Sequence, residues 1–265
     1  MKQEILLSLP WDHPWQNHLI CFDCIDSTND EAKIKAKSGA PEGTVVVAKA
    51  QTAGRGRLGR SFHAPAGLGL YFSLILRPNC PPEQLLHLTC AAGVASCNAV
   101  EKASGCRPKI KWTNDLVVGT KKLGGILTEL SIGQNGLVDW AVIGIGINCR
   151  HKTEDFPAEL QQMATSLWQV TGQDLSPARL AAYLMAALWE MRQQLFTSKA
   201  DLLDAYRKDC MTLKKQVVLV RGEEKMYGTA RDIDDDGGLV VQFEDGSIQS
   251  VQSGEISVRG LYGYV

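Results

Sequence analysis

Residues 51–62 read Gln-Thr-Ala-Gly-Arg-Gly-Arg-Leu-Gly-Arg-Ser-Phe and place three arginines, Arg55, Arg57 and Arg60, among three glycines. Guanidinium groups hold phosphate or carboxylate oxygens in bidentate fashion, and glycine lets the backbone close on a ligand. The chemistry on offer is anion binding. The same string fits the dinucleotide fingerprint (Gly54-x-Gly56-x-x-Gly59) and nearly fits the P-loop, with Arg60 where that motif has lysine. Both patterns need a helix immediately afterwards, whose N-terminal amides hold the phosphate. Here His63-Ala64-Pro65-Ala66-Gly67 leads into a strand instead, so both readings fail. What remains is a glycine-hinged loop of like charges, expected to be mobile when empty and ordered by an anion. Its rivals are a basic surface turn and an RGG-type nucleic-acid segment, although such tracts are usually longer and disordered.

A second group of polar residues lies in 109–127, which runs Lys-Ile-Lys-Trp-Thr-Asn-Asp-Leu-Val-Val-Gly-Thr-Lys-Lys-Leu-Gly-Gly-Ile-Leu. Apolar strands on either side of Gly119-Thr120 predict a hairpin that sets Asn114 and Asp115 across from Lys122, Gly124 and Gly125. Glycines leave the strand bare, so a ligand with a carboxylate and an amide-like edge can lie against it. On a strand Lys121 and Lys122 must point to opposite faces, and Lys122 is expected to share its face with Gly124. A charged hairpin turn explains the two lysines about as well. Gly144-Ile145-Gly146-Ile147-Asn148 ends a further apolar run with two glycines and an amide.

These segments need a scaffold. Strands are expected over 44–50, 69–77, 109–112 and 137–147. Helices are expected after 27–31, where Thr28 and Glu31 have capping-box spacing, from Pro81 to Gly105, from Ser176 to Phe196, and over 199–211. Strands and helices alternate irregularly, which predicts an α+β fold with a mixed sheet flanked by helices. Near Leu213 the pattern changes to short strands with turns at Asp236-Gly237-Gly238 and Asp245-Gly246, which predicts a small appended β-barrel or sandwich. The division is therefore 1–212 and 213–265. The triple Asp234-Asp235-Asp236 reads as a solvated hairpin tip.

The chain of 265 residues carries 28 Lys+Arg against 29 Asp+Glu, a net charge of −1, so basicity is local to the arginine loop. At 45% hydrophobic and 22% charged it has the composition of a globular protein, and its apolar runs are too short for a membrane span or a signal sequence. A cytoplasmic location is expected. The eight cysteines have no disulfide or zinc-ribbon spacing and read as reduced, buried thiols. The five histidines show no metal-ligand spacing.

Taken in order, Ser27-Thr28-Asn29, 51–60, 111–115, 122–127 and 144–148 resemble the biotin protein ligases, also called biotin–acetyl-CoA-carboxylase ligases. The resemblance implies a class II synthetase-like catalytic domain with a C-terminal SH3-like domain. It implies ATP-dependent formation of biotinyl-5′-AMP, then transfer of biotin to a lysine of a biotin carboxyl carrier protein. By the same resemblance Ser27, Thr28, Asn29, Gln51, Arg55, Gly56, Arg57, Lys122 and Gly125 line the biotin site. Arg57, Arg60, Phe62, Asn114 and Asn148 serve the nucleotide, with Mg²⁺ held mainly through the ATP phosphates. Lys122, Arg57 and Asp115 are the catalytic candidates, Asp115 orienting the incoming lysine. Phe62 and Ala64 depart from the tryptophan and serine that family members often carry there. With 26 residues ahead of Ser27, the ligase-only type without a DNA-binding domain is expected, and no operator binding. No membrane partner is expected, and a homodimer is left open. The rivals are a lipoate ligase or octanoyltransferase relative and a non-catalytic anion- or nucleic-acid-binding module.

Overall fold

A computed structural model describes residues 1–252 and 257–260. Its elements in chain order are α1 (Lys2–Ser8), β1 (Leu19–Ile25), α2 (Thr28–Lys37), β2 (Val45–Gln51), β3 (Gly69–Leu76), α3 (Leu88–Ser104), β4 (Lys109–Lys111), β5 (Asp115–Val118), β6 (Lys121–Ile132) and β7 (Val138–Asn148). There follow α4 (Leu167–Thr171), α5 (Pro177–Gln194), α6 (Lys199–Asp209), β8 (Gln216–Arg221), β9 (Glu224–Ile233), β10 (Leu239–Phe243), β11 (Ile248–Val251) and β12 (Ser257–Gly260). None of the described helices is long and apolar enough to cross a membrane.

Strands β1 to β7 form one mixed sheet in the order β1-β2-β3-β7-β6-β5-β4, in which only β1 and β2 run parallel. Strand alternation assigns the two faces. On β7, Ile143, Ile145 and Ile147 enter the main core with α3 and α5. Trp140 and Val142 face the other way and meet Ala32 and Ala36 of α2. Gly144 and Gly146 continue that second face without side chains of their own, and Asn29 at the start of α2 lies over the first and Phe62 over the second. The bare patch is the floor on which the site is built. The expected α+β class with a mixed sheet and flanking helices is the class observed.

Local starts and stops differ from expectation in places. Ser27, not Thr28, caps α2: its backbone is extended and its side chain accepts from Asp30 N at 3.4 Å, an arrangement worth about 1 kcal/mol. Thr28 is already helical and its hydroxyl is engaged elsewhere. The helix expected from Pro81 splits into a 3₁₀ turn (Pro82–Leu85) and α3, which ends at Gly105 in the left-handed conformation (φ 72°). Ser176 and Pro177 start α5 as expected.

The C-terminal strands form a five-stranded antiparallel sheet in the order β11-β10-β9-β8-β12. Its Val217, Leu219, Ala230, Ile233, Leu239 and Val241 join the main core. The run Ile-Ser-Val-Arg-Gly at 256–260 reads as the last of the short strands in the sequence, and its first residue lies outside the described residues. The aspartate triple is not simply solvated. The β9–β10 tip docks on the rest of the molecule, with Gly237 O accepting from Trp112 Nε1 at 3.0 Å and Asp236 paired to Lys199 at 2.9 Å. Asp234 folds the tip by accepting from the backbone of Asp236 and Gly238 at 2.9 and 2.7 Å.

Candidate active site

A cavity of about 1070 Å³ lies over the bare face of β6 and β7, and every residue named above for biotin, nucleotide or catalysis lines it. Its polar end is the start of α2 and the end of β2. Thr28 N donates to Gln51 Oε1 at 2.7 Å, and the Thr28 hydroxyl stands 3.0 Å from the same oxygen. Asn29 lies across Gly144, where a Cβ would come within 1.9 Å of its Oδ1, so only glycine fits beneath it. Ser73 on β3, fully buried, stands 2.9 Å from Thr28 Oγ1 and 2.6 Å from Asn29 Oδ1. Ser73 was missed in the sequence because a single serine within an apolar strand carries no signal.

The arginine loop closes over this floor. Gly56 N donates to Arg60 O (2.7 Å) and Phe62 N to Gly54 O (2.8 Å), while Leu58 and Gly59 take positive φ at the turn. Arg55 Nε pairs with Asp30 on α2 at 2.7 Å. Arg57 NH1 donates to Asn114 Oδ1 at 2.9 Å, and burial lowers its affinity for a proton against the opposing charge of Asp115. Arg60 is exposed at the rim of the cavity. The Phe62 ring covers Gly146, where a Cβ would come within 2.7 Å of it, and meets Tyr71 edge-on. A phenylalanine at this position thus covers Gly146 and meets Tyr71, and Ala64 nearby in the chain is buried.

Opposite the loop stands the β5–β6 hairpin. Lys122 Nζ pairs with Asp115 Oδ1 at 2.6 Å, and both are half-buried in the cavity. Lys121 points away and donates to Gln161 O at 3.3 Å. The expected faces of the lysines hold, but the glycine does not follow. The β5–β6 register shifts between Leu116 and Val117, so Leu116 faces Gly124 while Val117 faces Lys122. This bulge brings Gly125, not Gly124, onto the face of Lys122. Gly124 serves the sheet, since a Cβ there would lie 2.3 Å from Gly146 O.

Residues 156–164 form a wall that the sequence did not announce. Phe156, Leu160, Met163 and Ala164 line the cavity, and the segment is held along β6 by Lys122 N to Met163 O (2.7 Å) and Thr165 N to Lys122 O (2.8 Å). Its apolar residues follow no strand or helix period. Asn148 donates to Thr165 O at 3.0 Å, so its amide helps to fix this wall. Trp112 also lines the cavity and is held from behind by Gly237 and by Thr212, which accepts from its backbone N at 2.9 Å. A second cavity of about 510 Å³ lies behind the arginine loop, bounded by Thr89, Thr113, Thr128 and Glu129. Among the described residues no group of three or more His, Cys, Asp or Glu is placed to hold a metal, and Cys24 is exposed where buried thiols were expected.

Residues 21–148 match the Biotin/lipoate A/B protein ligase family, and residues 212–259 match the Biotin protein ligase C terminal domain. The bifunctional ligase/repressor BirA of Bacillus subtilis is 37% identical over 91% of this chain and 74% of its own length. The biotin–[acetyl-CoA-carboxylase] ligase of Mycobacterium tuberculosis is 32% identical over 87% of this chain and 85% of its own. The biotin protein ligase of Aquifex aeolicus, solved in complex with biotin and ATP, superposes with a TM-score of 0.78 at 31% identity, covering 91% of this chain and 98% of that one. With these relatives spanning the sheet, the arginine loop and the C-terminal strands together, the chain belongs to the biotin protein ligase family.

Proposed function

We propose that this chain joins biotin to ATP as biotinyl-5′-AMP and then passes the biotinyl group to a lysine of a carboxyl carrier protein. One observation carries the reading: a single cavity is lined both by hydrogen-bonding groups (Thr28, Asn29, Gln51) and by two cations, Arg57 and Lys122, which bond the adjacent residues Asn114 and Asp115. In the first step a biotin carboxylate oxygen attacks the α-phosphorus of ATP, and the bond to pyrophosphate breaks. Two anions must meet, so cations have to offset both. Lys122 and Arg57 are positioned for this, and Arg55 and Arg60 extend the positive charge along the loop. In the second step an uncharged lysine amine attacks the acyl carbon, AMP leaves, and the amine loses a proton. Asp115, next to Lys122, is the carboxylate available to orient that amine.

Ser27, Thr28, Asn29, Gln51, Arg55, Gly56 and Gly125 are assigned to biotin, and Arg60, Phe62, Asn114 and Asn148 to the nucleotide side. Asp115 is the one carboxylate among the described residues lining the cavity, and it is paired with Lys122. That donor set fits Mg²⁺ carried on the triphosphate rather than a resident metal. When bound, the ion neutralises phosphate charge. Residues 1–212 are assigned to a catalytic unit and 213–265 to a C-terminal unit. The carrier's identity and a homodimer are open to pull-down with candidate carrier domains and to sedimentation.

The deciding assay is release of pyrophosphate from ATP with biotin or lipoate, followed by transfer of label to a carrier domain. Release that requires biotin and ignores lipoate is expected. Release driven by lipoate, or none with either, overturns the reading.

A further inference from the structure

The polar end of the cavity continues into a row of charges outside it. Asn29 Nδ2 donates to Glu129 Oε2 at 2.9 Å, Glu129 Oε1 meets Lys33 Nζ at 2.7 Å, and Lys33 also reaches Asp30 Oδ1 at 2.9 Å. Lys33 does not line the cavity, and its side chain is only 20% exposed. Burial alone would lower its pKa, but Glu129 and Asp30 outweigh burial and raise it.

Donors and acceptors along this row can be counted. A carboxylate only accepts, so Asn29 presents Nδ2 to Glu129 at 2.9 Å, with the carbonyl of Leu127 as a longer second acceptor at 3.4 Å, and this turns its Oδ1 toward Ser73. That oxygen also only accepts, and Ser73 Oγ at 2.6 Å gives it its single proton. Ser73 is then an acceptor toward Thr28 Oγ1 at 2.9 Å. The Thr28 proton has Ser73 Oγ and Gln51 Oε1 (3.0 Å) as acceptors within the protein. Gln51 Oε1 accepts from Thr28 N at 2.7 Å, so with the Thr28 proton on Ser73 Oγ one lone pair of Gln51 Oε1, together with those of Thr28 Oγ1, is left at the cavity's polar end.

We propose that Glu129, held by Lys33, is a positioning residue for specificity. It orders the hydrogen bonds of Asn29, Ser73 and Thr28 so that the cavity presents acceptors and selects a ligand head carrying N–H donors. The inference rests on the biotin reading, because the two ring N–H groups of the biotin ureido are donors of that kind.

Glu129→Gln is isosteric and reverses the order. Lys33 can only donate, so it holds the new amide's oxygen and leaves the NH₂ facing Asn29. Asn29 then gives up its 3.4 Å bond to Leu127 O, turns its oxygen outward and its nitrogen toward Ser73, and the Ser73 proton passes to Thr28. The experiment is calorimetric binding to the full chain, without ATP, of biotin and of its cyclic-carbamate analogue, in which oxygen replaces one ring N–H. The unaltered protein should prefer biotin by about a hundredfold or more, since sites built on hydrogen bonds reject analogues that leave them unpaired. Glu129→Gln and Lys33→Met should each cut that ratio about tenfold, and Lys33→Arg, whose fork can bridge both carboxylates, should restore it.

Melting temperatures measured alongside identify a variant that does not fold, and the other variant then carries the test. No preference in the unaltered protein, or a preference that survives both substitutions, overturns the proposal. A parallel loss of both affinities with the ratio intact does so as well, because that is what a merely structural role would produce. If the ratio responds as stated but biotin drives no pyrophosphate release, the ligase reading falls and this one stands.

Discussion

Lys121 and Lys122 are adjacent in the chain but take separate tasks, one bonded to the carbonyl of Gln161 and the other paired with Asp115 inside the cavity. A lysine beside a carboxylate that attacks phosphorus offsets charge in the transition state, an effect of about 3 kcal/mol, or roughly a hundredfold in rate. Lys122→Met should lower biotin-dependent pyrophosphate release by about that factor, while Lys121→Met stays within a few-fold of the parent. Steady-state rates of the two variants decide it, and damage from Lys121→Met instead would reverse the assignment. At this scale the sequence was informative because the site uses charged and amide side chains at short spacings. Ser73 and Glu129 were not legible, since nothing in a lone serine or glutamate on a strand shows which neighbour it will meet across the sheet.

The elements set those side chains in place through their glycines. Gly124 and Gly125 look interchangeable in the sequence, and the β-bulge that separates them is a property of the paired strands. A Cβ at Gly124 would press on the backbone oxygen of Gly146 at 2.3 Å, whereas at Gly125 its nearest contacts are 3.4 Å away, on Asp115 and Lys122. Gly124→Ala should therefore cost about 1–3 kcal/mol and lower the melting temperature by several degrees. Gly125→Ala should melt near the parent and lose activity. Equal melting temperatures for the two would contradict the observed register. The arginine loop supplies the second test: Arg57→Gly removes a side chain that bonds Asn114 above the floor, and it should speed release of biotinyl-AMP while costing the fold no more than about 1.5 kcal/mol. A stopped-flow release rate together with a melting curve checks both halves. Strand and helix periods made most of these elements readable, but the wall at 156–164 has no period, and only its bonds to β6 reveal it.

Across the whole molecule, burial decides how the fold responds to acid. His13 packs edge-on to Trp15 and Trp189, His87 bonds the carbonyl of Leu195 near the docked hairpin tip, and His151 stacks on Phe156 behind the cavity wall. Burial lowers the pKa of all three; for His151 the neighbouring His63 adds to it and the value falls to about 4. The unfolded chain, whose histidines titrate near 6.5, therefore binds more protons than the folded one between roughly pH 4 and 6.5. Stability is complete above that window and is lost as the pH falls through it. His151→Phe, which keeps the stack on Phe156 and removes the titrating ring, should flatten part of the decline in urea midpoint measured from pH 7 to 4.5. An unchanged slope would mean that the ring is protonated in the folded protein. The same substitution leaves the cation pair Arg57 and Lys122 untouched, so a loss of acid sensitivity with intact pyrophosphate release at pH 7 would separate the stability of the wall from the chemistry it encloses.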